Sequence, residues 1–223
     1  MKIGLLGYGK IGQLIEKIAL EKGHEIIAII TRENNDFQKK LEGVDVLIDF
    51  SHPEVVLDHI NWSIVLNKPI VIGTTGWEDQ LEQAREQIQN STTGCLYSPN
   101  FLIGIQLFKQ IVSYAAQLIR PFEEFDIAGV ELHHNKKLDT PSGTAKALIK
   151  NIQEVLPHYS LKFSSIRCGH MPGTHTLYFD SPTDTIILTH EARNREGFAM
   201  GAIKAAEWLK DKQGFFTIED LVF

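Results

Sequence analysis

A chain of 223 residues, 43% hydrophobic and 22% charged, has the composition of a globular protein with enough length for a buried core, and two domains are expected of it. A formal net charge of -6 argues against nucleic acid or an anionic membrane surface as partner, and no apolar run is long enough to span a bilayer. Cys95 and Cys168 lack CxxC or zinc-type spacing, which predicts buried free thiols, a reducing cytoplasmic setting and no metal centre.

In chain order, a first strand is expected over Lys2–Leu6, although Gly4, Gly7, Gly9 and Gly12 break the opening run too often for a signal peptide. GYGKIG follows directly, with Gly7, Gly9 and Gly12 at GxGxxG spacing and Lys10 and Ile11 between the last two. A helical pattern then runs through Ile15, Ile18 and Ala19 to Lys22, Gly23 marks its end, and a second strand is expected over Glu25–Ile30. Glycines at 7 and 9 permit a tight turn and close approach to a pyrophosphate seated on the helix N-terminus, and Gly12 lets helix and strand pack closely. The plain alternative is an αβ turn without a ligand; strand, glycine turn, helix and strand together predict a Rossmann-type dinucleotide-binding domain. Where NAD-preferring folds place an acid for the adenosine ribose, Thr31 and Arg32 stand. Arg32 suits the 2′-phosphate of NADPH, while Glu33 one step later leaves NADH open.

Val44–Phe50 reads as the third strand and leads into DFSHPE, where Ser51 and Glu54 have capping-box spacing and Pro53 suits a first helical turn. Strand ends on this side of a doubly wound sheet face the ligand crevice, so Phe50 and Ser51 are candidate cofactor neighbours. After a helix to Asn67, a strand over Lys68–Gly73 and the turn Thr74–Thr75–Gly76 place Gly73, Thr74 and Thr75 at the nicotinamide end. A polar helix over Trp77–Asn90 and a buried strand over Gly94–Ser98 follow, ending in Pro99–Asn100–Phe101. The chain is expected to cross there. Residues 1–101, completed by about 196–223, would be the dinucleotide domain, and 102–195 a smaller α+β domain with a mixed or antiparallel sheet for substrate binding and oligomerisation.

A long helix from Leu102 to Arg120 precedes the stretch richest in chemistry, ELHHNKKLDTPSGTA (Glu131 to Ala145). The alternating run Phe125 to Leu132 reads as a strand delivering His133 and His134, Lys136 and Lys137 make a cationic loop, and Ser142 after Pro141 reads as a helix N-terminus. Taken singly these are ordinary surface residues and an ordinary helix start. Together, imidazole, ammonium and a positive helix end suit a carboxylated substrate. Past Pro157, strands are expected over Leu161–Arg167, Thr174–Phe179 and Thr185–His190 without a βαβ rhythm. RCGHMPGTH (Arg167 to His175) reads either as a pocket-lining loop or as a plain hairpin turn, and a helix over Phe198–Leu209 and an IEDLV tail follow.

GYGKIG, DFSHPE, VIGTTG, SPNF, ELHHNKKLDTPSGTA and the late RxGxxxGxH motif together resemble the dihydrodipicolinate reductase family of the diaminopimelate and lysine pathway, over nearly the whole chain. The resemblance implies reduction of a cyclic imine dicarboxylate, formed from 4-hydroxy-tetrahydrodipicolinate, to tetrahydrodipicolinate by hydride from NADH or NADPH. On the matching positions it makes His133 the proton donor and Lys137 its partner in substrate binding and proton transfer. It gives substrate-carboxylate contacts to His134, Ser142, Gly143 and Thr144. Cofactor contacts fall to Gly7, Gly9 and Gly12 with Lys10 and Ile11 between the last two, to Gly73, Thr74 and Thr75, and to the turn Ser98, Pro99, Asn100 and Phe101. The sequence departs from the family where members commonly carry a further strand and loop before RxGxxxGxH; here Pro157–Ser160 make the connection. That strand belongs to the sheet through which family subunits form tetramers, so a homo-oligomer is expected, a tetramer or, with the shortened domain, a dimer. Two other readings keep the glycine turn: a two-domain dehydrogenase acting on an amino or semialdehyde substrate, and a regulatory protein that binds the nucleotide without turnover. Neither requires His133 and Lys137 at this spacing.

Overall fold

The apolar run Lys2–Leu6 forms β1 and buries every residue after Lys2, as a strand covered on both faces must. In the computed structural model, which describes residues 1–31 and 37–222, α1 (Lys10–Glu21) follows and buries Gly12, Ile15, Ile18 and Ala19 at helical spacing. Gly23, at φ 78°, lets the chain reverse after the helix into β2 (Glu25–Ile30), parallel to β1. Beyond the short α2 (Phe37–Lys40), β3 (Val46–Asp49) lies parallel on the other edge of β1. Then come α3 (Val56–Leu66), β4 (Ile70–Ile72), α4 (Leu81–Gln89) and β5 (Gly94–Tyr97). β4 and β5 continue the parallel sheet.

α5 (Ile103–Ile119) buries Ile105, Phe108, Val112, Ala116 and Ile119 and leaves Leu107, Ile111, Tyr114 and Leu118 exposed on another face. In β6 (Asp126–His133) burial alternates residue by residue. α6 (Gly143–Val155) carries the chain over to β7 (Lys162–Arg167), which pairs parallel with β6. The second half therefore contains one βαβ unit, contrary to the sequence expectation. β7, KFSSIR, is half polar, and its direction relative to β6 is set by the α6 crossover, which strand periodicity does not encode. The short connection after α6 is anchored by the Tyr159 hydroxyl, which bonds to Asp126 and Ile127 at the start of β6. β8 (Thr174–Asp180) and β9 (Thr185–Glu191) add antiparallel, completing a mixed sheet in the order β7-β6-β8-β9.

α7 (Glu196–Leu209) returns to the first sheet with small residues toward it; a Cβ on its Gly201 would stand 1.8 Å from the carbonyl oxygen of Phe101. β10 (Gly214–Thr217) then pairs with β5, and α8 (Ile218–Val222) ends the described chain. The sequence predicts no strand at 214–217. Four residues show no period, and pairing to the open edge of β5 decides their conformation. The parallel sheet has the order β10-β5-β4-β3-β1-β2. One apolar cluster, with Ile3, Leu5, Ile15, Leu96 and Ile203, joins α1 and α7 to the sheet, and a second, with Leu6, Leu47, Ile60, Trp77 and Ile88, joins α3 and α4 to it.

By contacts the chain divides into two units, Met1–Ile103 with Arg195–Phe223, and Gly104–Asn194. Among the described residues no helix is long and apolar enough to cross a membrane. Cys95 is buried as expected of a free thiol, but Cys168 is exposed, because it follows the last residue of β7 in a loop.

Candidate active site

In the first unit β2 and β3 flank β1 on opposite sides, so the strand order reverses there and opens a crevice at the carboxyl ends of β1 and β3. Gly7 occupies that point at φ 91°, its amide donating to the Ile30 carbonyl at 2.9 Å. Gly12, on the first turn of α1, lies so close that a Cβ would stand 2.7 Å from the Gly7 oxygen. Gly9 is the N-cap of α1, with no side chain among the described residues bonded across the cap and no acid in the first turn, which starts with exposed Lys10 and half-buried Ile11. An uncapped helix N-terminus behind a glycine turn fits the pyrophosphate of a dinucleotide.

The ends of β3 and β4 are tied together by Asp49. Its buried Oδ1 accepts from the Ser51 amide at 2.9 Å, the Ser51 hydroxyl at 2.6 Å and the Thr74 hydroxyl at 2.8 Å, while His59 Nδ1 lies 2.6 Å from Oδ2. Ser51 and Glu54 therefore form no capping box. The turn at Pro53–Val55 has His52 as N-cap without a side-chain bond, because the Ser51 hydroxyl is drawn to a buried carboxylate, a stronger acceptor. Gly73 admits the Phe50 ring, which a Cβ would meet at 2.2 Å, and that ring packs 5.9 Å from Phe101. Ser98 holds the next turn: its hydroxyl donates to the Asn100 carbonyl at 2.8 Å and accepts from the Asn100 amide at 3.1 Å, leaving Pro99 exposed. Thr75 is exposed at the same sheet edge, and Arg32 lies outside the described residues. Asp49 and His59 escaped the sequence reading, although an acid ending the apolar run VLID was a signal. Asp49→Ala strands several buried donors at once and is expected to cost about 3 kcal/mol, read as a lower urea midpoint.

In the second unit, strand alternation builds the site. Glu131 and His133 are two apart on β6 and so share its inward face, as do Ser165 and Arg167 on β7. Register sets Glu131 opposite Ser165 and His175, His133 opposite Arg167, and His175 opposite His190. The Glu131 carboxylate is 0% exposed. Its Oε1 accepts from the Ser142 amide at 3.0 Å, the Ser165 hydroxyl at 2.7 Å and Arg167 Nη2 at 2.9 Å. Its Oε2 lies 3.5 Å from His133 Nδ1 and 3.5 Å from His175 Nε2. Arg167 also donates to the Asp139 carbonyl at 2.7 Å, which fastens the loop before α6 to the sheet. The two imidazoles meet edge to face at 5.1 Å. RCGHMPGTH thus lends Arg167 and His175 to the site and also forms a turn. Glu131, Ser165 and His175 are functional candidates that the sequence reading did not name as site residues; an acid at an inward position of an apolar strand was the available clue.

Burial works against the Glu131 carboxylate, yet the bonds from Ser142, Ser165 and Arg167 outweigh it and hold the group at about 2 against an ordinary 4.5. Burial lowers His133, with Lys137 and Arg167 acting the same way and Glu131 opposing them. His175 is pushed down to about 4, first by burial and then by His133. Because folding depresses the Glu131 value, its ionised form stabilises the native state above pH 4.5, and that contribution is lost as pH falls toward 2. The gap corresponds to on the order of 3 kcal/mol. Urea midpoints of the parent are expected to drop steeply over that acid range, and Glu131→Gln to lose this part of the slope.

Ser142 is the N-cap of α6 as expected, its hydroxyl accepting from the Ala145 amide at 3.1 Å and lying 3.2 Å from His175 Nε2. Its own amide is committed to Glu131. Gly143 is exposed with open space where a Cβ would be, and Thr144 is half-buried beside it. Lys137, half-buried, holds Asp139 at 2.7 Å, and that carboxylate is kept low by Lys137 despite burial, with backbone amides of Asp139 and Gly143 adding to the effect. His134 is half-buried and its carbonyl accepts from the Lys137 amide at 3.1 Å. Among the described residues Glu131, His133 and His175 are the donor set that could hold a metal, their ligand atoms within 4.8 Å of one another. The Arg167 guanidinium already supplies positive charge to that carboxylate and disfavours a second cation there.

Residues 1–101 match the family described as dihydrodipicolinate reductase, N-terminus, and residues 104–222 the one described as dihydrodipicolinate reductase, C-terminus. A 4-hydroxy-tetrahydrodipicolinate reductase of Christiangramia forsetii is 37% identical, covering 100% of this chain and 98% of that protein. One of Staphylococcus carnosus is 35% identical, covering 99% of each. The solved structure of a dipicolinate-bound dihydrodipicolinate reductase from Paenisporosarcina sp. TG-14 has the same fold, with a TM-score of 0.82 at 23% identity over 97% of each chain. With both halves matched in order, and a parallel nucleotide-binding sheet followed by a mixed sheet bearing the paired histidines, the chain belongs to the dihydrodipicolinate reductase family.

Proposed function

We infer that this protein reduces the cyclic imine derived from 4-hydroxy-tetrahydrodipicolinate to tetrahydrodipicolinate, using NADH or NADPH, in lysine and diaminopimelate biosynthesis. The observation that carries this reading is the buried His133 at the end of β6, 3.5 Å from the Glu131 carboxylate and within the electrostatic reach of Lys137 and Arg167, in a chain of this family. Bound NADH or NADPH supplies a hydride to one ring carbon. Negative charge then develops along the conjugated system, and His133 quenches it by giving up a proton. Lys137 and His134 meet the substrate carboxylates, with the Ser142–Thr144 turn at the positive end of α6. In the free protein Asp139 holds Lys137, and this half-exposed ion pair is weak enough for an incoming carboxylate to replace.

Gly7, Gly9, Lys10, Ile11 and Gly12 take the pyrophosphate, and Phe50, Ser51, Gly73–Thr75 and Ser98–Phe101 the nicotinamide end. Residues 1–101 with about 196–223 serve the cofactor and 102–195 the substrate. Self-association into a dimer or tetramer is supported by the outward face of the mixed sheet, where Ala128, Ile166 and Ile187 are exposed and Val130, Leu132 and Tyr178 half-buried. An exposed free thiol at Cys168 suits the reducing cytoplasm.

The test is oxidation of NADPH, and separately of NADH, with substrate generated in situ from pyruvate and aspartate semialdehyde by a coupled synthase. Steady turnover supports the assignment and ranks the cofactors. Cofactor binding without turnover would leave a nucleotide-binding protein.

A further inference from the structure

We propose that Glu131 is the positioning residue of the proton donor: its Oε2 accepts a hydrogen bond from His133 Nδ1–H, so that the proton delivered to substrate is the one on Nε2. This rests on the reading of His133 as the acid. Three donors on Oε1, from Ser142, Ser165 and Arg167, fix the plane of the Glu131 carboxylate. Oε2 is left fully buried without a hydrogen-bond partner among the described residues, and so is His133 Nδ1, 3.5 Å away. A buried carboxylate oxygen without a donor is costly, and catalytic hydrogen bonds that are long in the free enzyme tighten when substrate arrives.

His175 Nε2 is equally near Oε2 but already has the Ser142 hydroxyl at 3.2 Å, and its burial keeps the ring neutral. That makes His133 the imidazole whose charge Glu131 governs. The other nitrogen, Nε2, lies beside Gly173, where a Cβ would stand 2.9 Å away, so a side chain at that position would crowd it. The charged or titratable groups around His133 are Glu131 on β6, Lys137 and Asp139 in the next loop, Arg167 on β7 and His175 on β8. Burial, Lys137 and Arg167 oppose the imidazolium, and Glu131 is the largest influence favouring it. Without its charge the acid would lose its proton at lower pH.

Activity that requires the imidazolium falls as pH rises through its pKa. In Glu131→Gln the alkaline limb of kcat/KM is expected to move to lower pH by at least about one unit, a tenfold loss at any pH above both limbs. KM for NADPH should be unchanged, and Glu131→Asp should bring the limb back toward the parent. A uniform loss at every pH, with the limb unmoved, would mean a structural role alone and overturn the proposal. His133→Asn, run beside it, separates the two layers: a limb that persists there sinks His133 as the acid, whatever Glu131 does. Should Glu131→Gln not fold, nitrogen chemical shifts of labelled histidine in the parent decide. Above the limb, neutral His133 must be the Nδ1–H tautomer, and the Nε2–H tautomer would refute the assignment.

Discussion

His133→Ala is expected to lower kcat by about 100-fold or more, the usual scale for loss of a general acid, while leaving the affinity for NADPH close to that of the parent. The ring is only 7% exposed and lies between a fixed carboxylate and a second imidazole, so water cannot easily replace it as a donor of defined geometry. Its backbone is held independently, the His133 carbonyl accepting from the Cys168 amide at 2.8 Å, so truncation should spare the strand. Unfolding curves run beside the kinetics establish that the variant is native. Activity within a few-fold of the parent in a native variant would assign the acid to another group.

The parts of this architecture that were legible in the sequence are those that local chemistry decides. Glu25–Ile30 is a strand with the bounds its apolar run suggests, and Gly7–Gly12 makes the expected turn, because glycine spacing and strand periodicity act over a few residues. Ser142 caps α6 for the same reason. What stayed hidden depends on partners distant in sequence. Asp49 collects Thr74 across 25 residues and His59 across 10, and the local capping-box reading of Ser51 loses to that acceptor. Likewise each strand of the mixed sheet announces which residues share a face, but nothing in KFSSIR or THTLYFD says that both will flank β6. Ser165, Glu131 and His175 become neighbours only through that order, so an inward-facing acid was visible as an anomaly before it had partners.

At the first turn, Gly7→Ala and Gly9→Ala are expected to separate folding from cofactor binding. Gly7 sits at φ 91°, where a side chain costs about 1 to 2 kcal/mol, and its Cβ would fall 2.3 Å from the Phe50 carbonyl oxygen. Phe50 cannot retreat freely, since its amide donates to the Leu6 carbonyl at 2.9 Å and its ring fills the space beside Gly73. Strain and overpacking together should destabilise Gly7→Ala by about 3 kcal/mol or more. The same shift would misplace the amides of the turn and weaken NADPH binding roughly 100-fold. Gly9 is different: its φ of -78° suits any residue, and among the described residues, its chain neighbours aside, no atom lies within 4 Å of the position its Cβ would take. Gly9→Ala should therefore unfold at the parent's urea midpoint, yet put a methyl group where a phosphate must approach the start of α1. Parental NADPH affinity in Gly9→Ala would show that the pyrophosphate does not lie on this turn, whereas weakened binding with undiminished stability would assign the open space beside Gly9 to the cofactor.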